Sequence, residues 1–165
     1  MATQTIWLTH AGGVTRSDGS HPQIKFYQEA DSQTFVAGDL VYRSFGQLTV
    51  CGADPAAILG IALAPATNVT SSHTMIPVQV LDTDTEVVMN VYHSVASLAT
   101  FVDNSGHGVA FGVAQNAAGK WVVDLEDTVN TRVKINSYVD DKGDIYMKVK
   151  VKFMPASLQD HTCAG

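Results

Sequence analysis

Three carboxylates alternate in the stretch LDTDTEVV: Asp82, Asp84 and Glu86. In an extended chain they would project from one face about 7 Å apart. Hard cations such as calcium are held by oxygen cages of that kind. The segment lacks the glycine and the distal glutamate of a complete EF-hand loop, so a solvated acidic turn between strands is the reading preferred over an ion site. A second candidate is NSGHG, which puts Ser105 and His107 in a glycine loop. Nucleophilic catalysis needs a base within hydrogen-bond reach of the nucleophile. Residues two apart in a loop do not supply that by spacing alone, and a polar loop without catalytic work is expected. No GxSxG elbow occurs. AGDLV also occurs in LexA-like serine–lysine peptidases, but the Ser-Met pair that such enzymes require is missing.

The remaining chemistry-bearing residues are dispersed. The six histidines (His10, His21, His73, His93, His107 and His161) include no pair at zinc-ligand spacing. Cys51 lies in a strand pattern and Cys163 near the C-terminus, with no CxxC, so both read as buried or incidental thiols. The AGG at 11–13 has neither the lysine nor the preceding strand of a phosphate loop. Trp7 and Trp121 are too few and too far apart to suggest a sugar-stacking platform. Lys148, Lys150 and Lys152 form a basic stripe, read first as the guard of an exposed strand edge. These residues imply no metal, no cofactor and no enzyme. A net charge of −6 opposes phosphate backbones, which argues against nucleic acid as a partner. No apolar run approaches the roughly 20 residues needed to span a bilayer. With no signal peptide in MATQTIWLTH, Asn68-Val69-Thr70 is expected to be a chance glycosylation match in a soluble chain made in a cytoplasm.

The elements behind these residues follow a period of two from Phe35 onward. Leu40 and Tyr42, then Leu48 and Val50, alternate with more polar neighbours. AILGIALAPA (57–66) is apolar on both faces, as a strand covered on both sides should be. MIPVQVLD alternates, but Pro77 cannot donate to a ladder, which predicts an edge strand or a bulge. In DIYMKVKVKF, Ile145, Met147, Val149, Val151 and Phe153 share the core face, and Tyr146 and the three lysines share the other. DDKGD before it predicts a hairpin turn, and HSVASLATFVD (93–103) is the one stretch with helical spacing. Roughly nine short strands predict an all-β fold, an antiparallel barrel or sandwich. Residues 1–33 are rich in Gly, Ser and Thr and predict an extended N-terminal arm, with residues 34–165 as a single β domain. Two apolar clusters in the arm, Ile6-Trp7-Leu8 and Ile24 with Phe26-Tyr27, are its candidate contact points.

The segment FVAGDLVYRSFGQLTVCGADPAAILGIALAPATN, followed by IPVQVLDTDTEVVMNVYHS, resembles the head decoration (cement) proteins of tailed bacteriophages. The likeness covers residues 34–95 and rests on small residues at turns: Gly38, Asp39, Gly52, Asp54, Gly60 and Ile61. It implies a lambda-type, β-tulip-like fold, with a jelly roll as the competing architecture. It also implies a structural virion protein on the outer capsid surface that stabilises contacts between major capsid proteins. Its partners would be the major capsid protein and further copies of itself, as a dimer or trimer. A carbohydrate-binding β-sandwich of a phage particle is the alternative, with Trp121 and Tyr138 as its only candidate aromatic pair.

Overall fold

The computed structural model describes residues 13–70, 74–92, 109–139 and 147–159. The described residues form eleven strands and one 3-10 turn, Pro155–Ser157. The all-β, mainly antiparallel architecture expected from the periodicity is the observed one.

Five strands close into a barrel: β7 (Thr85–Tyr92), β8 (Ala110–Gln115), β9 (Trp121–Asp124), β10 (Val133–Tyr138) and β11 (Lys148–Phe153). Around the ring, β7 pairs with β11, β11 with β10, β10 with β8, and β8 with β9, all antiparallel. A short parallel pairing of β9 with β7, Val91 opposite Val123 and Tyr92 opposite Asp124, shuts the ring. Closure removes the open edges that an isolated sheet would present. Inward residues alternate as barrel walls require, and Val87, Met89, Val113, Trp121, Ile135 and Val149 are 0–1% exposed.

The second sheet runs β2 (Ile24–Gln28), β6 (Met75–Val80), β5 (Gly60–Ala62), β3 (Leu40–Ser44), β4 (Gln47–Val50). Its ends nearly meet, because Glu29 bridges Leu48 and the Ala30 amide donates to the Leu48 carbonyl. β5 is buried at all three residues. Ile61 joins the core shared with the barrel, whereas Leu59 and Ala62 pack into the second sheet's own cluster around Phe35, Leu48 and Ile76. That is the two-sided cover its sequence implies. Gly60 has no room for a side chain, since a Cβ there would lie 2.2 Å from the Gln79 carbonyl oxygen.

The N-terminal stretch is not a free arm over its described length. β1 (Val14–Arg16) pairs with β7, Val14 is wholly buried, and β2 pairs with β6 through all five residues. Val14 gains its burial by joining a sheet formed elsewhere in the chain. Two local readings also change. β6 is an inner strand despite Pro77: its neighbour β5 stops at Ala62, so little of the ladder is left beside the missing N–H, and the Pro77 carbonyl still accepts from Leu63. The lysine stripe lies on β11, which is flanked on both sides, so it guards no edge. Lys134, Lys152, Glu86 and Thr15 instead form one row across β10, β11, β7 and β1, with Glu86 opposite Lys152. The 93–103 stretch and the DDKGD turn lie outside the described residues.

Candidate contact surface

The hairpin of β3 and β4 ends on the pair Ser44–Gln47, leaving Phe45 and Gly46 as a two-residue connection. Both take positive φ, 50° and 87° respectively, the arrangement of a type I′ turn. Such turns prefer Asn-Gly because a Cβ at positive φ crowds the following carbonyl. Phenylalanine therefore stands in a conformation its backbone resists. Its side chain gains nothing in return from the fold, because its relative exposure is 105%. A rigid hairpin thus holds an aromatic ring entirely in solvent.

A second apolar strip lies on β2 and β6. Phe26 is opposite Pro77 and Gln28 opposite Met75, so these side chains share a face. Ile24, Phe26 and Met75 are 52%, 62% and 53% exposed. Tyr27 points the other way and packs on the second sheet's cluster. Its ring meets the Arg43 guanidinium at 5.5 Å, within range of a cation–π contact. Arg43 lies two residues before Phe45 and is fixed from behind, since the Gln159 side chain accepts from its amide and donates to its carbonyl. Of the expected contact residues, Ile24 and Phe26 are surface-exposed, Tyr27 is half-buried, and Ile6, Trp7 and Leu8 lie outside the described residues. Phe45 was not singled out by patterning. The available signal was a bulky aromatic where a two-residue turn wants asparagine.

The acidic segment is a turn, not an extended ladder. The Asp82 carboxylate accepts from the Asp84 amide and the Thr85 hydroxyl, and the Thr85 amide donates to the Asp82 carbonyl. Arg16 forms ion pairs with Asp82 and, at 3.6 Å, with Asp84. Burial opposes ionisation of Asp82, but the bonds from Thr85 and Asp84 and the Arg16 charge outweigh it and hold the pKa below its ordinary value. Glu86 points elsewhere and accepts from the Asn136 side chain. A guanidinium therefore occupies the place a cation would take between Asp82 and Asp84. Among the described residues no group of three or more His, Cys, Asp or Glu could hold a metal ion.

Among the described residues Glu29 is the most deeply placed carboxylate, fully buried between β2 and the loop after Ala66. It accepts from the Thr67 hydroxyl, from the Thr67 amide at 2.8 Å and from the Thr74 amide at 3.4 Å. Burial alone would raise its pKa, but these donors hold it below the ordinary value. Cys51 is buried, and burial with the nearby Asp39 charge pushes its thiol up to about 12, so it is chemically inert at neutral pH. Asp39 itself accepts from the Val36 amide at 2.9 Å, closing the AGD turn with Gly38 at φ 97°. Trp121 is 1% exposed inside the barrel, and Tyr138 packs partly buried against the same core. Of the aromatic pair named for sugar stacking, Trp121 is therefore core and Tyr138 lies at its margin. Ser105, His107 and Cys163 lie outside the described residues.

No family model, no curated protein and no solved structure matches this chain.

Proposed function

We propose that this chain is a structural virion protein that binds the outer surface of a tailed-phage capsid and stabilises contacts between major capsid proteins. The observation that carries the reading is Phe45: a fully exposed ring on a backbone that disfavours it. A side chain that adds nothing to folding and strains its own turn is explained by a partner that buries it. The turn is short and its strands are paired, so the ring is presented with little entropy to lose on binding. The strip of Ile24, Phe26 and Met75 supplies a second apolar surface. The likeness of residues 34–95 to head decoration proteins supplies the kind of partner, a repeating protein shell. Repetition over such a shell multiplies modest contacts into avidity without any reaction. Further copies of the chain around the shell's symmetry axes fit the same picture.

The reading is tested by co-sedimentation of the purified full chain with capsids assembled from the major capsid protein of the same phage. Saturable binding that Phe45→Ser weakens at least tenfold supports it. Absence of binding, or binding indifferent to Phe45, overturns it.

A further inference from the structure

We infer that the outer wall of the barrel along β10 and β11 is a docking surface for an acidic, extended segment of a partner protein, held by Lys134, Lys150 and Lys152. Val149, Val151 and Phe153 turn into the core at 0–2% exposure, so the alternation of β11 sends Lys148, Lys150 and Lys152 outward. Lys134 joins them from β10, where it stands directly opposite Lys152. Four of the ten basic residues in a chain of net charge −6 thus share one face.

Folding does not account for this cluster. Lysines on an edge strand would block pairing with another chain, but β11 lies between β10 and β7, and β10 between β11 and β8. Like charges directly opposite one another destabilise a sheet, and Lys134 faces Lys152. Glu86, the one acid in that row, stands opposite Lys152 but accepts from the Asn136 side chain. The residues opposite Lys150 are neutral, Val88 and Ser137, as is Asn90 opposite Lys148. Among the described residues none forms an ion pair with Lys134, Lys150 or Lys152. Lys152 Nζ donates to the Ser17 hydroxyl at 2.7 Å, a neutral partner that orients the ammonium without cancelling its charge.

Charge and spacing together select the partner. Successive outward residues of a strand lie about 7 Å apart, so the three lysines of β11 mark a line about 14 Å long. An extended segment with a carboxylate at every second residue repeats at the same spacing and can set one acid against each lysine. A long polyanion such as nucleic acid would run beyond the lysines onto a body that carries the chain's acidic excess. Nor does Arg16, on the neighbouring β1, offer a free guanidinium fork for phosphate, because Asp82 and Asp84 engage it. A short acidic peptide segment matches both the length and the sign of the face. Phe45 lies on a hairpin of the second sheet, so the lysine face is a contact of different chemistry from the ring's.

The test is an NMR titration of the labelled full chain with an octaglutamate peptide at low ionic strength, with no capsid present. Chain and peptide are both acidic, so binding must come from a local basic surface. The expected result is amide shifts confined to β10, β11 and β7, and an affinity that falls as added salt screens the contact. Lys134→Gln with Lys150→Gln should weaken binding about fivefold or more, since two surface ion pairs are lost. Lys25→Gln with Lys120→Gln removes the same charge from β2 and the β8–β9 turn and should weaken it about twofold at most. Absence of binding at about 1 mM peptide, shifts centred elsewhere, or equal losses in the two variants overturn the proposal. So does a single-stranded oligonucleotide of equal charge that binds this face more tightly than the peptide. The shifts are read on the unaltered protein, so a variant that failed to fold would still leave the outcome decided. A chain that bound the peptide but no capsid would uphold the lysine surface and overturn the capsid reading alone.

Discussion

Replacing Phe45 by asparagine should make the protein more stable and a worse binder. The folding side follows from two facts: φ is 50° and relative exposure is 105%. A left-handed conformation costs an ordinary L-residue about 1–2 kcal/mol, and asparagine adopts it far more readily. No apolar area is lost, because none of the ring is covered. The gain should therefore be about 1 kcal/mol, which raises the melting temperature by about 2–4 °C in a chain of this size. The binding side has the opposite sign. An aromatic anchor at the centre of an interface is worth about 2 kcal/mol or more, a loss of roughly 30-fold in affinity. Thermal denaturation followed by circular dichroism gives the first number, and capsid co-sedimentation gives the second. A variant that melts lower than wild type would show that the ring packs within the fold. Unchanged affinity would show that it is not an anchor. Either result refutes the reasoning.

Three further outcomes follow from the same geometry. Gly46→Ala meets nothing within 4 Å, so its loss of about 1 kcal/mol, measured by urea unfolding, should come from φ 87° alone. Gly60→Ala drives a Cβ into the Gln79 carbonyl and should cost about 3 kcal/mol or more, giving insoluble or low-melting protein. Glu29→Ala removes the buried carboxylate to which Thr67 and Thr74 donate and should cost about 1–3 kcal/mol at neutral pH. Because the Glu29 pKa is depressed, its contribution is whole above 4.5 and is lost as pH falls through the folded value. The difference between wild type and Glu29→Ala should therefore narrow in acid, as denaturation curves at a series of pH values will show.

The sequence announced what depends on near neighbours. The alternation in Met147, Val149, Val151 and Phe153 identifies a wall of the core, and all four are buried. The apolar run around Gly60 marks a strand covered on both faces. The AGD turn is readable because Gly38 and Asp39 do local work, a positive φ and a carboxylate that accepts a nearby amide. Pairings between distant segments leave no such periodic trace. Val14–Arg16 is too short to signal a strand and is one only because β7 offers an edge. Pro77 and the lysine stripe misled for the same reason, since whether a strand is an edge is set by its neighbours. Phe45 was visible, but its meaning required the turn's φ values.

The most direct test of the structural-virion reading is cryo-electron microscopy of capsids saturated with the full chain. The account predicts density on the outer surface at symmetry-related positions, with the β3–β4 hairpin against the shell and the Phe45 ring buried in a major-capsid-protein pocket. Bare capsids at saturating protein, or bound copies whose hairpin points to solvent, would contradict it.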